Sequence, residues 1–204
     1  MQWKNIISGK PRGEMNSGYN IKINEKKVNL LETHNKVIYK SFILKKMDRS
    51  KAFKRYSEKY NIREDKWKSI YRLPHELDIS NRAKETQYKI LHNYIPTNQL
   101  LYKMNIIQSP RCNFCNLYDQ TTTHLFFDCL VVKNFWFNVL EWLESDHEII
   151  LNIVLSDVLF GVTEIPNDLF INRVIIYAKM YIFNCKCIEI DLTIREFLNL
   201  LNRH

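Results

Sequence analysis

Four residues in the middle of the chain have the types and the spacing of a metal centre: Cys112-x2-Cys115-x8-His124-x4-Cys129. Thiolate and imidazole are the ligands Zn²⁺ takes in tetrahedral sets, and a C-x2-C turn brings two sulfurs to one ion while a following segment returns the other two ligands. The x4 step suits a helical turn. Thr121, Thr122 and Thr123 stand where they can cap that turn, and Leu125 with Phe126 or Phe127 where they can anchor it on an apolar core. A closed Cys3His set is structural, because catalytic zinc keeps a position open for water or substrate. The expected cofactor is therefore structural Zn²⁺, and no catalytic residue is expected. Three thiolates and a neutral imidazole leave the centre with a net charge of about −1, so the ion itself offers phosphate nothing and serves to fix shape. The plainer alternative is that the four meet by chance, with thiols that are simply buried.

Other metal and redox chemistries fit less well. A zinc deaminase needs an upstream H-x-E to supply its proton-shuttling glutamate, and none precedes Cys112. His75-Glu76 is followed by Ile79 where a metalloprotease places its second histidine, which leaves His75 as a loop or helix-cap residue. Cys185 and Cys187, at i and i+2, point to separate faces of a helix and are expected in the core. The N-terminal residues show no apolar run typical of a secretion signal. Five cysteines in the reducing setting this implies, nucleus or cytoplasm, read as ligands or core residues rather than disulfides.

Charge divides at the first ligand. The chain of 204 residues carries a net +8, but residues 1–111 hold 24 Lys and Arg against 10 Asp and Glu, whereas residues 112–204 hold 6 against 12. Such asymmetry suggests a polyanionic partner for one half. With 46% apolar and 25% charged residues the composition is that of a globular chain. The most apolar stretch, Phe170 to Phe183, is interrupted by Arg173 and Lys179 and falls short of the ~20 residues that span a bilayer. No membrane and no small-molecule substrate is expected.

The elements that position these residues read as helices. Gly9, Gly13 and Gly18 beside Pro11 mark an opening loop, after which glycine is nearly absent. Val37, Ile38, Phe42 and Leu44 suggest one helix, and Phe53, Tyr56 and Tyr60 a second, basic one. The mixed pattern over 21–30 admits a short hairpin. Ser80 is placed to cap a helix presenting Ala83, Gln87, Ile90, Leu91 and Tyr94, ended by Pro96, and Thr97 restarts the chain before Leu100, Leu101 and Met104. Val132, Phe135, Trp136, Val139, Leu140, Trp142 and Leu143 form a wide apolar face. Ser145-x-x-Glu148 and Thr193-x-x-Glu196 have the form of capping boxes that open helices. Val174, Ile175, Ala178, Tyr181, Ile182 and Cys185 keep helical spacing. Trp67, Trp136 and Trp142 are expected in the core. The expected fold is mainly α, helical layers braced by a Cys3His zinc knuckle.

Around the ligands, Lys66-Trp67, Arg72-Leu73-Pro74, Gln87 through Asn93 with its His92-Asn93 pair, Ile95-Pro96-Thr97-Asn98, Ser109-Pro110, His124-Leu125-Phe126-Phe127-Asp128-Cys129 and Phe135-Trp136 resemble the zinc-binding domain of reverse transcriptases from non-LTR (LINE-type) retrotransposons. The resemblance covers residues 66–143. Residues 33–60 resemble the basic helical stretch before that domain, and Phe160-Gly161 with 171–186 the tail after it. This implies three parts: a basic N-terminal segment over 1–60, loop then helices; the zinc-binding domain over 61–143; and an acidic helical tail over 144–204. It also implies zinc on Cys112, Cys115, His124 and Cys129, and contact with element RNA or target DNA. It does not bring polymerisation, which needs paired aspartates holding metal ions, since the chain has no Asp-Asp pair. The expectation is a C-terminal piece of an element, or a remnant of one, with His92 as a structural hydrogen-bonding residue.

For binding RNA or single-stranded DNA, Lys45, Lys46, Arg49, Lys51, Lys54, Arg55 and Lys59 offer phosphate contacts, Tyr56 and Tyr60 offer stacking rings, and Arg111 adds a cation beside the metal. The bland alternative for this run is a solvated helix face. Two rival readings remain open at this level: a protein-interaction module docking on a polymerase-bearing chain, favoured if Phe137 or Trp142 is exposed, and a decayed element sequence with no selected function.

Overall fold

The computed structural model describes residues 20–23, 26–29, 34–37, 39, 51–163 and 165–203. The chain divides into two units, Met1–Arg49 and Ser50–His204. In the first, β1 (Asn20–Ile23) and β2 (Lys26–Asn29) form an antiparallel hairpin with Asn20 opposite Asn29 and Ile23 opposite Lys26, where the sequence admits one. Of the first expected helix, residues 35–37 and 39 are helical and Val37 is exposed. Ile38, Phe42, Leu44 and the glycine-rich opening lie outside the described residues.

The second unit contains α1 (Lys51–Tyr60), α2 (Glu64–Glu76), α3 (Asn81–Leu91), α4 (Asn98–Lys103), a π-helical turn (His124–Asp128), α5 (Leu130–His147), α6 (Leu155–Phe160), α7 (Asp168–Ile188) and α8 (Ile194–Asn202). Helix α7 is apolar nearly all round and sits at the centre, against α3, α6, α8 and the π turn. Among the described residues no helix is long and apolar enough to cross a membrane. Within the second unit, α1, α6, α7 and α8 contribute to one core together with residues 61–147.

Local chemistry explains the helix ends. The Ala83 N–H donates to Ser80 Oγ (3.3 Å), and the Ser80 N–H donates in turn to the Tyr177 hydroxyl of α7 (3.0 Å). Helix α3 stops before Pro96: Asn93 takes the left-handed conformation (φ 55°) and the Tyr94 N–H reaches back to the Lys89 carbonyl. Tyr94 therefore leaves the apolar face of α3 and is 68% exposed. Where Thr97 restarts the chain it caps α4, accepting from the Leu100 N–H, while Met104 just past the helix end is exposed. Thr193 caps α8, but only half of its box forms: Thr193 accepts from the Glu196 N–H, and its own N–H goes to the Tyr181 hydroxyl.

Ser145 opens no helix. Helix α5 runs on through His147, and Glu148, left-handed at φ 57°, ends it. The Ser145 hydroxyl lies within hydrogen-bond reach of Asp146 Oδ1 (2.7 Å) and of the Trp142 carbonyl behind it (3.3 Å), so it is committed inside the last turn. The apolar face of α5 is buried at Val132, Phe135, Trp136, Val139 and Leu143, whereas Leu140 and Trp142 are half-buried. Trp67 is buried as expected. Cys185 is core, but Cys187 is exposed, because the last turn of α7 leaves the core and i+2 faces solvent.

One charge lies wholly inside this core. Lys179 is 1% exposed, and its ammonium donates to Gln87 Oε1 on α3 and to the Val158 carbonyl on α6 (2.6 Å). Gln87 Nε2 donates to the Leu159 carbonyl (3.0 Å), so α3, α6 and α7 are joined by one polar knot. Burial pushes the Lys179 pKa down to about 7. Because the folded value lies below the unfolded one, the folded chain holds fewer protons between the two, and stability rises as pH climbs from about 7 toward the ordinary lysine range. Urea titrations at pH 7 and pH 9 are expected to show this gain in wild type and to lose it in Lys179→Met. An equal gain in the variant would assign it to other groups.

Candidate metal centre

The knuckle is built on a short β-bridge. Arg111 pairs with Asp119, the Cys112 N–H donates to the Tyr118 carbonyl (2.9 Å) and the Gln120 N–H to the Pro110 carbonyl (2.8 Å). Between these strands the Asn116 N–H closes on the Cys112 carbonyl (2.9 Å), with Asn116 left-handed at φ 56°. That turn sets Cys112 and Cys115 side by side. The third and fourth ligands come from the π turn: the Cys129 N–H bonds the His124 carbonyl five residues back (3.1 Å), so the x4 step is spanned by a wider coil than an α turn. Thr121 Oγ1 accepts from the His124 N–H (3.0 Å), Leu125 and Phe126 are fully buried, and Trp136 Nε1 donates to the Phe126 carbonyl (2.8 Å). Phe127 is only half-buried.

The four ligand atoms lie within 4.8 Å of one another. Cys112 Sγ is 3.9 Å from Cys129 Sγ, and Cys115 Sγ is 3.3 Å from His124 Nε2. A tetrahedral ion with Zn–S of ~2.3 Å and Zn–N of ~2.05 Å puts sulfurs ~3.8 Å apart and sulfur and nitrogen ~3.6 Å apart. The donor set therefore fits a single small metal ion, through Nε2 of the histidine. The Cys129 thiol and the side-chain amide of Gln120 hydrogen-bond Cys112, as do backbone amides at Cys115 and Phe114, and hold its pKa below the ordinary thiol value. Cys129 is pushed up by sharing a proton with Cys112 and by burial. A divalent cation relieves that conflict by accepting both thiolates.

Partners outside the ligand set were not evident from sequence. Gln120 is fully buried, and its Nε2 reaches Cys112 Sγ (3.6 Å) while its Oε1 accepts from the Asn98 N–H (3.1 Å). Asn98 Nδ2 donates to the Arg111 carbonyl (2.6 Å). The Pro96-Thr97-Asn98 run thus anchors the knuckle, and Lys186 at the end of α7 donates to the Pro96 carbonyl (3.0 Å). Such outer contacts orient ligands. Pro96, Thr97 and Asn98 stood together in a motif, whereas Gln120 stood in none.

The residues expected to meet nucleic acid divide. Lys54, Arg55 and Lys59 are exposed on α1, and Lys51 begins that helix. Lys45, Lys46 and Arg49 lie outside the described residues. Tyr56 is buried: its ring stands edge-on to Phe160 (5.4 Å), its hydroxyl donates to the Ile90 carbonyl (3.2 Å), and burial raises its pKa to about 12. It is a core residue, with no ring face left for a base. Tyr60 is half-buried against the same Phe160 (5.4 Å), with Lys59 Nζ 5.1 Å from its ring centre. Arg111 is exposed beside the knuckle and donates to the Leu117 carbonyl. His75 lies exposed in the last turn of α2. His92 is structural, though not by the expected hydrogen bond: among the described residues its ring packs with those of Tyr88 (4.2 Å), Tyr71 (5.7 Å) and Tyr94 (6.1 Å).

Residues 49–136 match the family model described as zinc-binding in reverse transcriptase. The matched segment begins just before α1, contains all four ligands and ends at Trp136 in α5. The zinc-binding domain of reverse transcriptases, and not their polymerase domain, is what this segment is similar to. No curated protein and no solved structure matches the chain.

Proposed function

We propose that the chain is a zinc-stabilised nucleic-acid-binding module of the type that follows the polymerase in LINE-type reverse transcriptases. It takes RNA or single-stranded DNA, in the nucleus or cytoplasm, and performs no catalysis of its own. The observation that carries this reading is the joining, within one reverse-transcriptase-type segment, of a closed Cys3His centre to a helix with Lys54, Arg55 and Lys59 exposed. Zinc fixes the knuckle, and cations on α1, the basic residues before it and Arg111 neutralise phosphates. Affinity of this kind falls with salt. Six neutralised phosphates correspond to a log–log slope of about −4 on single strands. A titration of the zinc-loaded chain with a labelled oligonucleotide across salt concentrations is expected to return that slope, and a flat line would sink the electrostatic reading.

A second reading, docking on a polymerase-bearing chain, is favoured by Phe137, 63% exposed on α5, with Leu130 62% exposed two turns before it. Co-purification with a reverse transcriptase that Phe137→Ser abolishes, while oligonucleotide affinity is retained, would support it.

A further inference from the structure

Between α1 and the knuckle runs a cleft of about 370 Å³, at the small end of the ~300–1,000 Å³ of ligand sites. Arg55 and Lys59, one helical turn apart on α1, line one wall, and Lys103 at the end of α4 lines another. All three cations are exposed, none has a carboxylate partner among the described residues, and no Asp or Glu lines the cleft. Asn93, Gln99 and Thr122 add uncharged polar groups. Thr122 Oγ1 donates to Asn93 Oδ1 (3.2 Å), which leaves the Asn93 amide nitrogen without a partner among the described residues. Cations with neutral donors and no carboxylate are the chemistry of a phosphodiester cradle.

Asn93 also connects this cleft to a set of rings. It stands between His92 and Tyr94 in the chain, and its left-handed turn (φ 55°) lets Tyr94 lie nearly parallel to His92, 17° between planes. Tyr88, one turn earlier on α3, also packs on His92, with ring centres 4.2 Å apart and planes tilted by 42°. Tyr88 is 55% and Tyr94 68% exposed. Partial burial lowers the His92 pKa, which disfavours the charged ring.

We propose that the cleft of Arg55, Lys59 and Lys103 and the Tyr88–His92–Tyr94 ledge form one track for a single strand, phosphates in the cleft and bases stacked on the exposed tyrosines. The proposal rests on the nucleic-acid reading above and adds to it residues outside the basic run. A phosphate cradle alone takes duplex or single strand alike, whereas stacking rings reward only bases that are free of a partner. The track therefore favours single strands over duplex.

The test uses the zinc-loaded full chain with labelled oligo-dT and oligo-rU, the matching duplexes, and inorganic phosphate as competitor. Tyr94→Ala is expected to weaken single-strand binding ~5- to 150-fold, the equivalent of one lost stacked base. Tyr94→Trp is expected to keep binding and to lose indole fluorescence on adding oligo-dT. Lys103→Gln is expected to make the salt slope shallower by ~0.7. Tyr94 and Lys103 are both exposed, so an unchanged melting temperature checks that the fold persists. If wild type binds and these variants bind equally well, while Lys54→Gln or Lys51→Gln weakens binding, the track is wrong and the broader nucleic-acid reading stands. If wild type binds no oligonucleotide, both fall. Equal losses on duplex and single strand, or full displacement by millimolar inorganic phosphate, would overturn the single-strand assignment.

Discussion

Cys112→Ser, or removal of metal by a chelator, is expected to release residues 97–129 from their folded arrangement while α7 and the helices packed on it persist. Cys112 and Cys129 are both fully buried, and the loop between Asn98 and the π turn has little else to hold it. Met104, Ile106, Leu117 and Tyr118 are all exposed, and the supports are hydrogen bonds: those of Gln120 and Asn98, which converge on Cys112 and its neighbours, and the few backbone bonds of the bridge and turn. Structural zinc supplies ~10–16 kcal/mol to zinc-finger peptides at neutral pH, against a net stability of ~5–15 kcal/mol for a whole domain. Losing even part of that exceeds what the loop's few hydrogen bonds return at about 1 kcal/mol each. Residues 130–143 behave differently, since Phe135 of α5 packs on Tyr181 (5.6 Å) and Phe197 (5.4 Å). Amide hydrogen exchange on the chelated protein is expected to show fast exchange across 97–129 and retained protection in α7. Uniform protection in excess chelator would mean that the ligand set holds nothing together.

The second large effect is expected at Gly161→Ala. Gly161 ends α6 with φ 92°, a conformation L side chains rarely adopt. A Cβ there would collide with Leu73 Cδ2 and stand 2.7 Å from Asn172 Oδ1. Neither neighbour can yield easily. Leu73 is buried on α2, and Asn172, 1% exposed, accepts from the Val162 N–H (2.8 Å) and donates to the Val162 carbonyl (2.7 Å). Backbone strain of ~1–3 kcal/mol and overpacking of ~1–3 kcal/mol combine to roughly 2–6 kcal/mol. For a chain of this size that lowers the melting temperature by on the order of 10 °C. A thermal melt of the variant within ~2 °C of wild type would show that the α6–α7 corner is looser than its hydrogen bonds imply.

Features set by near neighbours in the chain were legible. The ligand spacing, the Thr121 cap before His124, and the caps at Ser80 and Thr193 each depend on residues within a few positions, and each appears in the structure. Local pattern also misled where one motif suits two settings. Ser145-x-x-Glu148 has the letters of a helix start, yet the apolar face from Val132 to Leu143 carries α5 straight through it. Tyr56 sits in a run of cations, but with Ala52, Phe53 and Tyr60 it lies on the apolar face of α1, and that face docks on Phe160, a hundred residues away in sequence. Gln120 and Lys179 gave no sign at all. Their burial is made tolerable by partners on other elements, Asn98 and Cys112 for one, Gln87 and Val158 for the other, and such pairings leave no periodicity to read.

Cys112, Cys115, His124 and Cys129 form a group that could hold a metal ion, and elemental analysis of the purified chain tests this most directly. A single zinc ion per chain in wild type, with near-complete loss in Cys112→Ser, is the expected result. A folded wild-type chain that retains no zinc after purification in zinc-supplemented buffer would contradict it.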